Sequence, residues 1–296
     1  MRNTAPATTS TEQDRIAALI SGCSIEISSR DPAAEQACRE LLPPGMSIYV
    51  NHGPRDTYQG IIAAAARLRR AGFNPVPHLA ARYLTGITQL NDYLARASGE
   101  AGVDQVLTIA GDISPPAGPF AASLQLMMSG LLPKHGISRV GIAGYPEPHP
   151  RIAAAALDEA LAAKLELGRQ TGLDVYVVTQ FCFEAEPILG WIRRIRAQGI
   201  DADVRVGLAG PASVSTLAKL AVRCGIGHSV RALARGHNSF ARLLVEVGPE
   251  RVMRSLVGAA GGADIGGLHF FTFGGIARTA AWMNGITESA GQRSPA

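Results

Sequence analysis

The sequence lacks the features that mark several protein classes. Only 4 of its 296 residues are cysteines, and they are widely spaced, with no CxxC pair and no mixed His/Cys ligand pattern. A metal site is therefore not expected, and we predict free thiols and a reducing, cytoplasmic location. The polar N-terminal segment has no apolar stretch of the kind a secretory signal needs, and no run reaches the roughly 18 apolar residues of a transmembrane helix, so we predict no membrane association.

Concentrated positive charge is also missing. The net charge is +4, from 28 Lys and Arg against 24 Asp and Glu residues, and the arginines are scattered. The one dense group, WIRRIRAQG at 191–199, has the pattern of a solvated helix face. Nucleic-acid-binding proteins usually carry a basic stripe with interleaved aromatic residues, so we predict no nucleic-acid partner. A diffuse positive bias fits a small polyanionic ligand at least as well.

What the chain does contain is a regular alternation of apolar runs and helical patterns. No linker, repeat or low-complexity segment interrupts residues 16–296, which we interpret as one domain after a disordered tail at 1–15. Eight units of this kind predict a (β/α)8 TIM barrel of the α/β class, with extra helices over residues 228–262 before the last strand. The alternative is an open doubly wound sheet, which loses support because no strand candidate is followed by GxGxxG. The strand candidates are residues 23–27, 47–51, 74–80, 104–112, 138–144, 174–181, 202–210 and 266–275.

Polar side chains recur where these strand candidates end. In a barrel of this type the carboxyl ends of the strands carry the chemistry. Each such residue alone has a plain structural explanation, such as a helix cap or a turn. Their coincidence on six consecutive strands predicts a site at one rim. The residues are Glu26, Asn51 with His52, His78, Asp112, Tyr145, and Thr179 with Gln180.

Two positions in this set suggest specific chemistry. Glu26 lies between Ile25 and Ile27, so we expect burial to raise its pKa and suit it to donate a proton near neutral pH. The structural alternative is an ion pair with a nearby arginine such as Arg30. In AGDISPPAG (110–118), Gly111 would allow a planar ligand to approach the backbone, and Asp112 would accept hydrogen bonds from it.

Taken together, these segments resemble the methylenetetrahydrofolate reductase family. The resemblance extends over about residues 23–286. It implies a (β/α)8 barrel that interconverts 5,10-methylenetetrahydrofolate and 5-methyltetrahydrofolate through FAD, with NADH or NADPH as electron donor. It also places the chain in one-carbon metabolism and methionine biosynthesis, and a homo-oligomer is compatible with it. The matching segments are EI in the first strand, PHLA (77–80), TIAGDISPP (108–116), VGIAGYPEPHP (140–150), VVTQFCFE (177–184) and LHFFTF (268–273).

The resemblance also implies roles for individual residues. Glu26 matches the acid that protonates the folate so that its five-membered ring opens to an iminium. Asp112 matches an acid between flavin and pterin, and Gln180 matches the pterin-binding glutamine, with Phe183 also on the substrate side. The implied flavin contacts are Asn51, His52, His78, Ala110, Gly111, Asp112, Phe120, Ala121, Tyr145, His149 and Lys164, the last toward the phosphates.

Departures from the family pattern lie mainly on the cofactor side. VNHGPRDT (50–57) replaces a Gly-rich segment, Ala110 stands in place of an arginine, and Gly275 does so after the last strand. Three hypotheses follow. The first is an FAD-dependent reductase. The second is a folate reductase without tight flavin, fed by a nicotinamide or a partner protein. The third is a non-catalytic folate- or flavin-binding subunit, against which the presence of Glu26 argues.

Overall fold

The computed structural model describes residues 12–224, 246–259 and 265–291. The strands are β1 (Ser24–Ser28), β2 (Ser47–Asn51), β3 (Asn74–Ala80), β4 (Gln105–Ile109), β5 (Arg139–Gly144), β6 (Asp174–Thr179), β7 (Val204–Ala209), β8 (Ala212–Ser213), β9 (Glu246–Val247) and β10 (Gly267–Phe271). The helices are α1 (Glu12–Ser21), α2 (Pro32–Leu41), α3 (Tyr58–Arg70), α4 (Ile87–Ala101), α5 (Ser123–Met128), α6 (Leu131–Lys134), α7 (Ala154–Thr171), α8 (Ala185–Ala197), α9 (Val214–Cys224), α10 (Glu250–Gly258) and α11 (Ile276–Gly291), with a 3-10 turn at Ala81–Tyr83.

Eight of the strands close into a parallel barrel in the order β1-β10-β7-β6-β5-β4-β3-β2. This confirms the predicted (β/α)8 barrel. Side chains alternate between the interior and the helix layer along each strand. In β1, Ile25 and Ile27 therefore join the large core shared with the helices, while Glu26 between them projects into the barrel.

The amino-terminal end of the barrel is closed by a polar network around Tyr176. The Tyr49 and Tyr176 hydroxyls lie 2.7 Å apart, and Gln105 Nε2 donates to the Tyr176 hydroxyl at 2.6 Å. The guanidinium groups of Arg139 and Arg205 lie over the Tyr176 ring, 4.8 and 5.1 Å from its centroid. In barrels of this type, residues at the amino-terminal end usually stabilise the fold and do not take part in the chemistry. The functional site is therefore expected at the carboxyl ends of the strands.

Gly141 makes room for this closure. A Cβ there would lie 2.8 Å from both Cζ and the hydroxyl oxygen of Tyr176. That separation is shorter than any tolerable carbon contact, so an alanine would displace the ring or the strand. The glycine within the apolar run of β5 thus serves core packing.

The boundaries of two predicted segments are corrected. The predicted tail at 1–15 is too long, because residues 12–15 already belong to α1; residues 1–11 lie outside the described residues. The helical pattern at 119–132 forms two short helices, α5 and α6, because Gly130 takes a left-handed conformation (φ 70°) between them.

The segment predicted as helical without a strand, 228–262, is only partly described. Within it, β9 pairs antiparallel with β8, so the prediction that this segment contains no strand was wrong. Helix α10 is an extra helix before β10, as predicted. Residues 225–245 and 260–264 lie outside the described residues. Across the described ranges, every helix falls short of the length or apolar character required to cross a bilayer.

Candidate active site at the carboxyl ends of the strands

Glu26 forms the centre of the first group of predicted residues, which we call the acid cluster (Ser24, Glu26, Asn51, His78 and His269). Asn51 donates from Nδ2 to Glu26 Oε1 at 3.3 Å. The other carboxylate oxygen, Oε2, lies 3.4 Å from His78 Nε2 and 3.6 Å from His269 Nε2. These last two contacts are longer than good hydrogen bonds. Three buried polar atoms, Oε2 and the two Nε2, therefore converge without satisfying one another, which is common where a site accepts a ligand.

His269 is held in place from below by neighbouring groups. Its Nδ1 lies 3.0 Å from the hydroxyl of Ser24, and its ring meets that of Tyr49 at 4.5 Å between centroids. These contacts orient Nε2 toward Glu26. The sequence reasoning did not single out His269, although a histidine inside the apolar run LHFF was a visible signal.

The pKa of Glu26 moves opposite to the sequence prediction. Burial raises the pKa of the carboxyl group, but the charges of His78 and His269 and the hydrogen bond from Asn51 outweigh burial, so the pKa is lowered from its usual value. Burial in turn lowers the pKa of His78, against the opposing effect of Glu26. The prediction of a raised pKa was wrong because a residue far along the chain supplies one of the imidazoles.

The suggested ion pair between Glu26 and Arg30 is also absent. Arg30 Nε instead contacts Asp56 Oδ1 at 3.0 Å. Asp56 further accepts from the Ser29 hydroxyl and, at 2.7 Å, from the Gly53 backbone N–H. It thereby joins the loops after β1 and β2, which positions Asn51 beside Glu26.

The second group, which we call the Tyr83 cap, consists of His52, Tyr83, Gly111 and Asp112. The His52 and Tyr83 rings are 4.9 Å apart and inclined by 33°, and the Tyr83 hydroxyl donates to Asp112 Oδ1. Gly111 has a φ of 87°, and a Cβ there would lie 3.4 Å from Tyr83 Cε2. The ring of Tyr83 thus occupies the surface of Gly111 that the sequence reasoning reserved for a planar ligand. Tyr83 is a second residue that this reasoning missed.

Arg82 ties the segments around this cap together. Its Nε donates to the carbonyl of Ala121 at 2.9 Å, and its Nη1 donates to that of Ile113 at 3.3 Å. Its backbone N–H donates to the carbonyl of Ala110, and its own carbonyl accepts from Ala117 N–H. Phe120 is buried beneath this loop. The backbone carbonyls of the predicted flavin contacts Ala110 and Ala121 are therefore already bonded within the protein.

The third group, the β5–β6 side, consists of Tyr145, Glu147, His149 and Gln180, and the predicted Lys164 lies on the adjoining helix α7. The rings of Tyr145 and His149 meet edge to face at 5.4 Å, and Gln180 Nε2 donates to the Glu147 carbonyl at 3.1 Å. Burial lowers the pKa of Lys164; within the described residues its ammonium has neither a hydrogen bond nor a salt bridge. The β5–β6 side therefore presents an amide and an imidazole, and α7 carries a cation at Lys164.

Phe183 belongs to an aromatic cluster beyond β6, which meets the acid cluster where the Phe271 ring lies 4.8 Å from that of His269. The Phe183 ring is 5.6 Å from that of Phe181, which in turn meets Phe271 and Phe273. Burial raises the pKa of the neighbouring Cys182 thiol, with further contributions from the charge of Glu147 and a bond to it. This supports reading Cys182 as a packed thiol rather than a reactive one.

Two comparisons with known proteins bear on this site. A family model described as methylenetetrahydrofolate reductase matches residues 36–273, well over half of the chain. The chain belongs to the methylenetetrahydrofolate reductase family. Among solved structures, an uncharacterized protein from Clostridium thermocellum that binds two copies of 5-methyl-5,6,7,8-tetrahydrofolic acid aligns with a TM-score of 0.57, covering 94% of this chain and 99% of that chain at 12% identity. At that identity the likeness shows a common fold.

Membership of the methylenetetrahydrofolate reductase family indicates a folate-related function for the chain, and the acid cluster is interpreted on that basis. Glu26, Asn51 and His78, three strand-end residues predicted from the sequence, do meet in that cluster. Among the residues the structure describes, no group of three His, Cys, Asp or Glu is arranged to hold a metal ion.

Burial of His52 predicts sensitivity of this reductase-family fold to acid. Burial, together with the charge of His78, lowers the pKa of His52 to about 4, with Asp56 opposing. Below about pH 6.5, the usual pKa of histidine, His52 is protonated in the unfolded chain but stays neutral in the folded chain. The free energy of unfolding therefore falls as the pH decreases toward 4, by about 3 kcal/mol from this residue. In urea unfolding, we expect His52→Asn to lose less unfolding free energy than wild type between about pH 7 and about pH 4. An equal loss in wild type and variant would contradict this; His135→Asn, at a histidine bonded to Asn91 away from the cap, is the control.

Proposed function

We propose that the chain interconverts 5,10-methylenetetrahydrofolate and 5-methyltetrahydrofolate by hydride transfer, with Glu26 as the proton donor. The observation that carries the proposal is the acid cluster, with a carboxylate between two imidazoles inside the barrel of a chain of this family. A protein that only binds folate has no need of such a cluster. The folate bound by the Clostridium thermocellum protein of the same fold gives the proposal further support.

In this proposal, the cluster supplies the proton that opens the folate ring. Glu26 transfers its proton to N10, the bond between N10 and the bridging carbon breaks, and an iminium forms between that carbon and N5. The side chain of Glu26 is still 14% exposed, and a bound pterin would cover that part. The added desolvation raises the pKa of a carboxyl group and favours its protonated form. The Nε2 atoms of His78 and His269 lie 3.4 and 3.6 Å from Oε2, so in this scheme these two imidazoles pass a proton back to Glu26.

The pterin is bound by Gln180 in this scheme. One N–H of its amide is used on the Glu147 carbonyl, which fixes the plane of the amide. The second N–H and the amide oxygen form a donor–acceptor pair, which suits the edge of a pterin ring. Phe183 and Asp112 are the other proposed contacts on the substrate side.

Hydride transfer also needs a donor, for which the family resemblance implies FAD, reduced by NADH or NADPH. The β5–β6 side suits part of such a cofactor, because Lys164 and His149 offer a cation and an imidazole to phosphate groups. The Tyr83 cap suits the flavin ring poorly, because Tyr83 covers Gly111 and binds Asp112. The residues present therefore fit the phosphate groups of FAD but not its flavin ring, and no step of the proposed reaction is assigned to a flavin.

An anaerobic conversion assay tests the proposed function. The purified chain is incubated with 5,10-methylenetetrahydrofolate and NADH or NADPH, each with and without added FAD, and the folates are separated chromatographically. We expect 5-methyltetrahydrofolate to form in at least one of these mixtures. Absence of conversion in all of them, with the chain folded, would overturn the proposal.

Gln180→Ala is expected to raise the KM for the folate about tenfold, the effect of losing one or two hydrogen bonds to a bound ligand. The rate at saturating folate should change little, because the amide binds the substrate equally before and during the reaction. Gln170→Ala, at an exposed position of α7, is the matched control. An unchanged KM in Gln180→Ala would remove Gln180 from the pterin site.

A further inference from the structure

We propose that Tyr83 takes the place of a flavin ring beside the folate site, and that this chain passes hydride to the folate directly from a dihydronicotinamide. The inference rests on the proposed function and specifies its hydride donor. It follows from what surrounds the Tyr83 cap, taken in three steps.

The first step is that the flat surface at the rim is already covered. The Tyr83 ring has His52 on one side, at 4.9 Å and 33°, and Gly111 on another, where even a Cβ would be only 3.4 Å away. His52 is itself buried and meets Tyr93 at 6.5 Å. While Tyr83 stays in this arrangement, its ring occupies this side of Gly111, and a second planar ring cannot lie there.

The second step is that the polar groups a flavin ring would use are bonded elsewhere. The Tyr83 hydroxyl donates to Asp112, and the carbonyls of Ala110 and Ala121 accept from Arg82. The backbone N–H of Ala121 donates to the Gln125 side chain at 2.6 Å. A flavin ring in the predicted position would have to replace several of these bonds, so their formation within the protein opposes its binding.

The third step is that the arrangement is built into the backbone. The carbonyl of Arg82 accepts from Ala117 N–H at 2.8 Å, and a Cβ on Gly118 would lie 2.5 Å from the carbonyl oxygen of Leu84. The 3-10 turn that carries Tyr83 is therefore clamped against the loop after β4. This clamp fixes the backbone position from which the Tyr83 ring covers Gly111.

In this inference the nicotinamide nucleotide binds on the β5–β6 side, with Lys164 of α7 as the cation for its diphosphate. The Lys164 side chain is largely buried on α7, and no described residue pairs with its ammonium, so we assign it to the diphosphate. In the proposed step, the C4–H bond of the dihydronicotinamide breaks, and its electron pair and hydrogen form a new C–H bond at the iminium carbon. The nicotinamide is oxidised to its cation and the folate is reduced to the 5-methyl form, so no other redox partner is required.

Flavin content and flavin binding test this inference. The chain, purified and desalted, should show no visible flavin absorbance, and NADH or NADPH should be consumed in a folate-dependent way without added FAD. Flavin that co-purifies at about one per chain, or conversion that requires added FAD, would overturn the inference and leave the proposed function intact. Failure to convert the folate under any condition would instead remove the proposed function.

Two variants separate the ring of Tyr83 from its hydroxyl. Tyr83→Ala opens the surface of Gly111, so its affinity for added FAD should exceed that of wild type by at least about tenfold, measured by quenching of flavin fluorescence. Tyr83→Phe keeps the ring and should bind FAD as weakly as wild type. Equal FAD affinity in wild type and in folded Tyr83→Ala, judged by circular dichroism, would contradict the inference. If Tyr83→Ala does not fold, the flavin content and the FAD requirement of the wild-type chain still test the inference.

Discussion

Glu26→Gln is expected to lower the rate of folate reduction about 10³-fold, within the range by which a positioned proton donor accelerates reactions. The amide has nearly the shape of the carboxyl group but cannot transfer a proton to N10. Binding of 5-methyltetrahydrofolate should change only a few-fold, because the proposed pterin contacts lie elsewhere. The measurement is the rate at saturating folate, together with folate affinity from calorimetry.

The control for this variant is Glu100→Gln, because Glu100 is an exposed partner of Arg96 on α4 and lies outside the acid cluster. It should keep the activity of wild type. Retention of most of the activity by Glu26→Gln, with Glu100→Gln also active, would contradict the assignment of Glu26 as the proton donor.

His269→Asn is expected to lower the rate about 10²-fold and to shift the pH profile. The imidazole contacts of Glu26 lower its pKa, so removing one of them raises the pKa of Glu26. The part of the pH–rate profile governed by Glu26 should therefore move to higher pH. A purely structural role of His269 would lower the rate without moving this part of the profile.

His135→Asn serves again as the control, because it removes a histidine outside the barrel interior. Restoring the imidazole tests the same assignment from the other direction. Added imidazole that rescues part of the activity of His269→Asn would support a role in proton supply. A pH profile of His269→Asn that matches wild type would contradict it.

The barrel was accessible to sequence reasoning because each of its strands is a local pattern. The segments SIYVN and NPVPHLA form β2 and β3 over the very residues predicted. The placement of Glu26, Asn51 and His78 at one rim followed from the parallel topology, since parallel strands bring their carboxyl ends to the same side. The break between α5 and α6 and the β8–β9 pair were missed, because a single glycine and a two-residue pairing leave little trace in a periodic pattern.

The electrostatics of the site depend on contacts that no local pattern contains. The bond between Ser24 and His269 joins residues 245 positions apart, and this contact determines how the imidazole faces Glu26. Apolar neighbours of Glu26 therefore suggested a raised pKa, while the folded cluster lowers it. Tyr83 was missed for a similar reason: the direction of its ring depends on how the turn after β3 docks against the loop after β4.

The most direct test follows the hydride itself. NADH or NADPH carrying deuterium at C4 is given to the purified chain with 5,10-methylenetetrahydrofolate, and the isolated folate is analysed by mass spectrometry. We predict 5-methyltetrahydrofolate with deuterium in its methyl group, formed without added flavin. Failure to form 5-methyltetrahydrofolate with either nucleotide, with or without FAD, would contradict the proposed function.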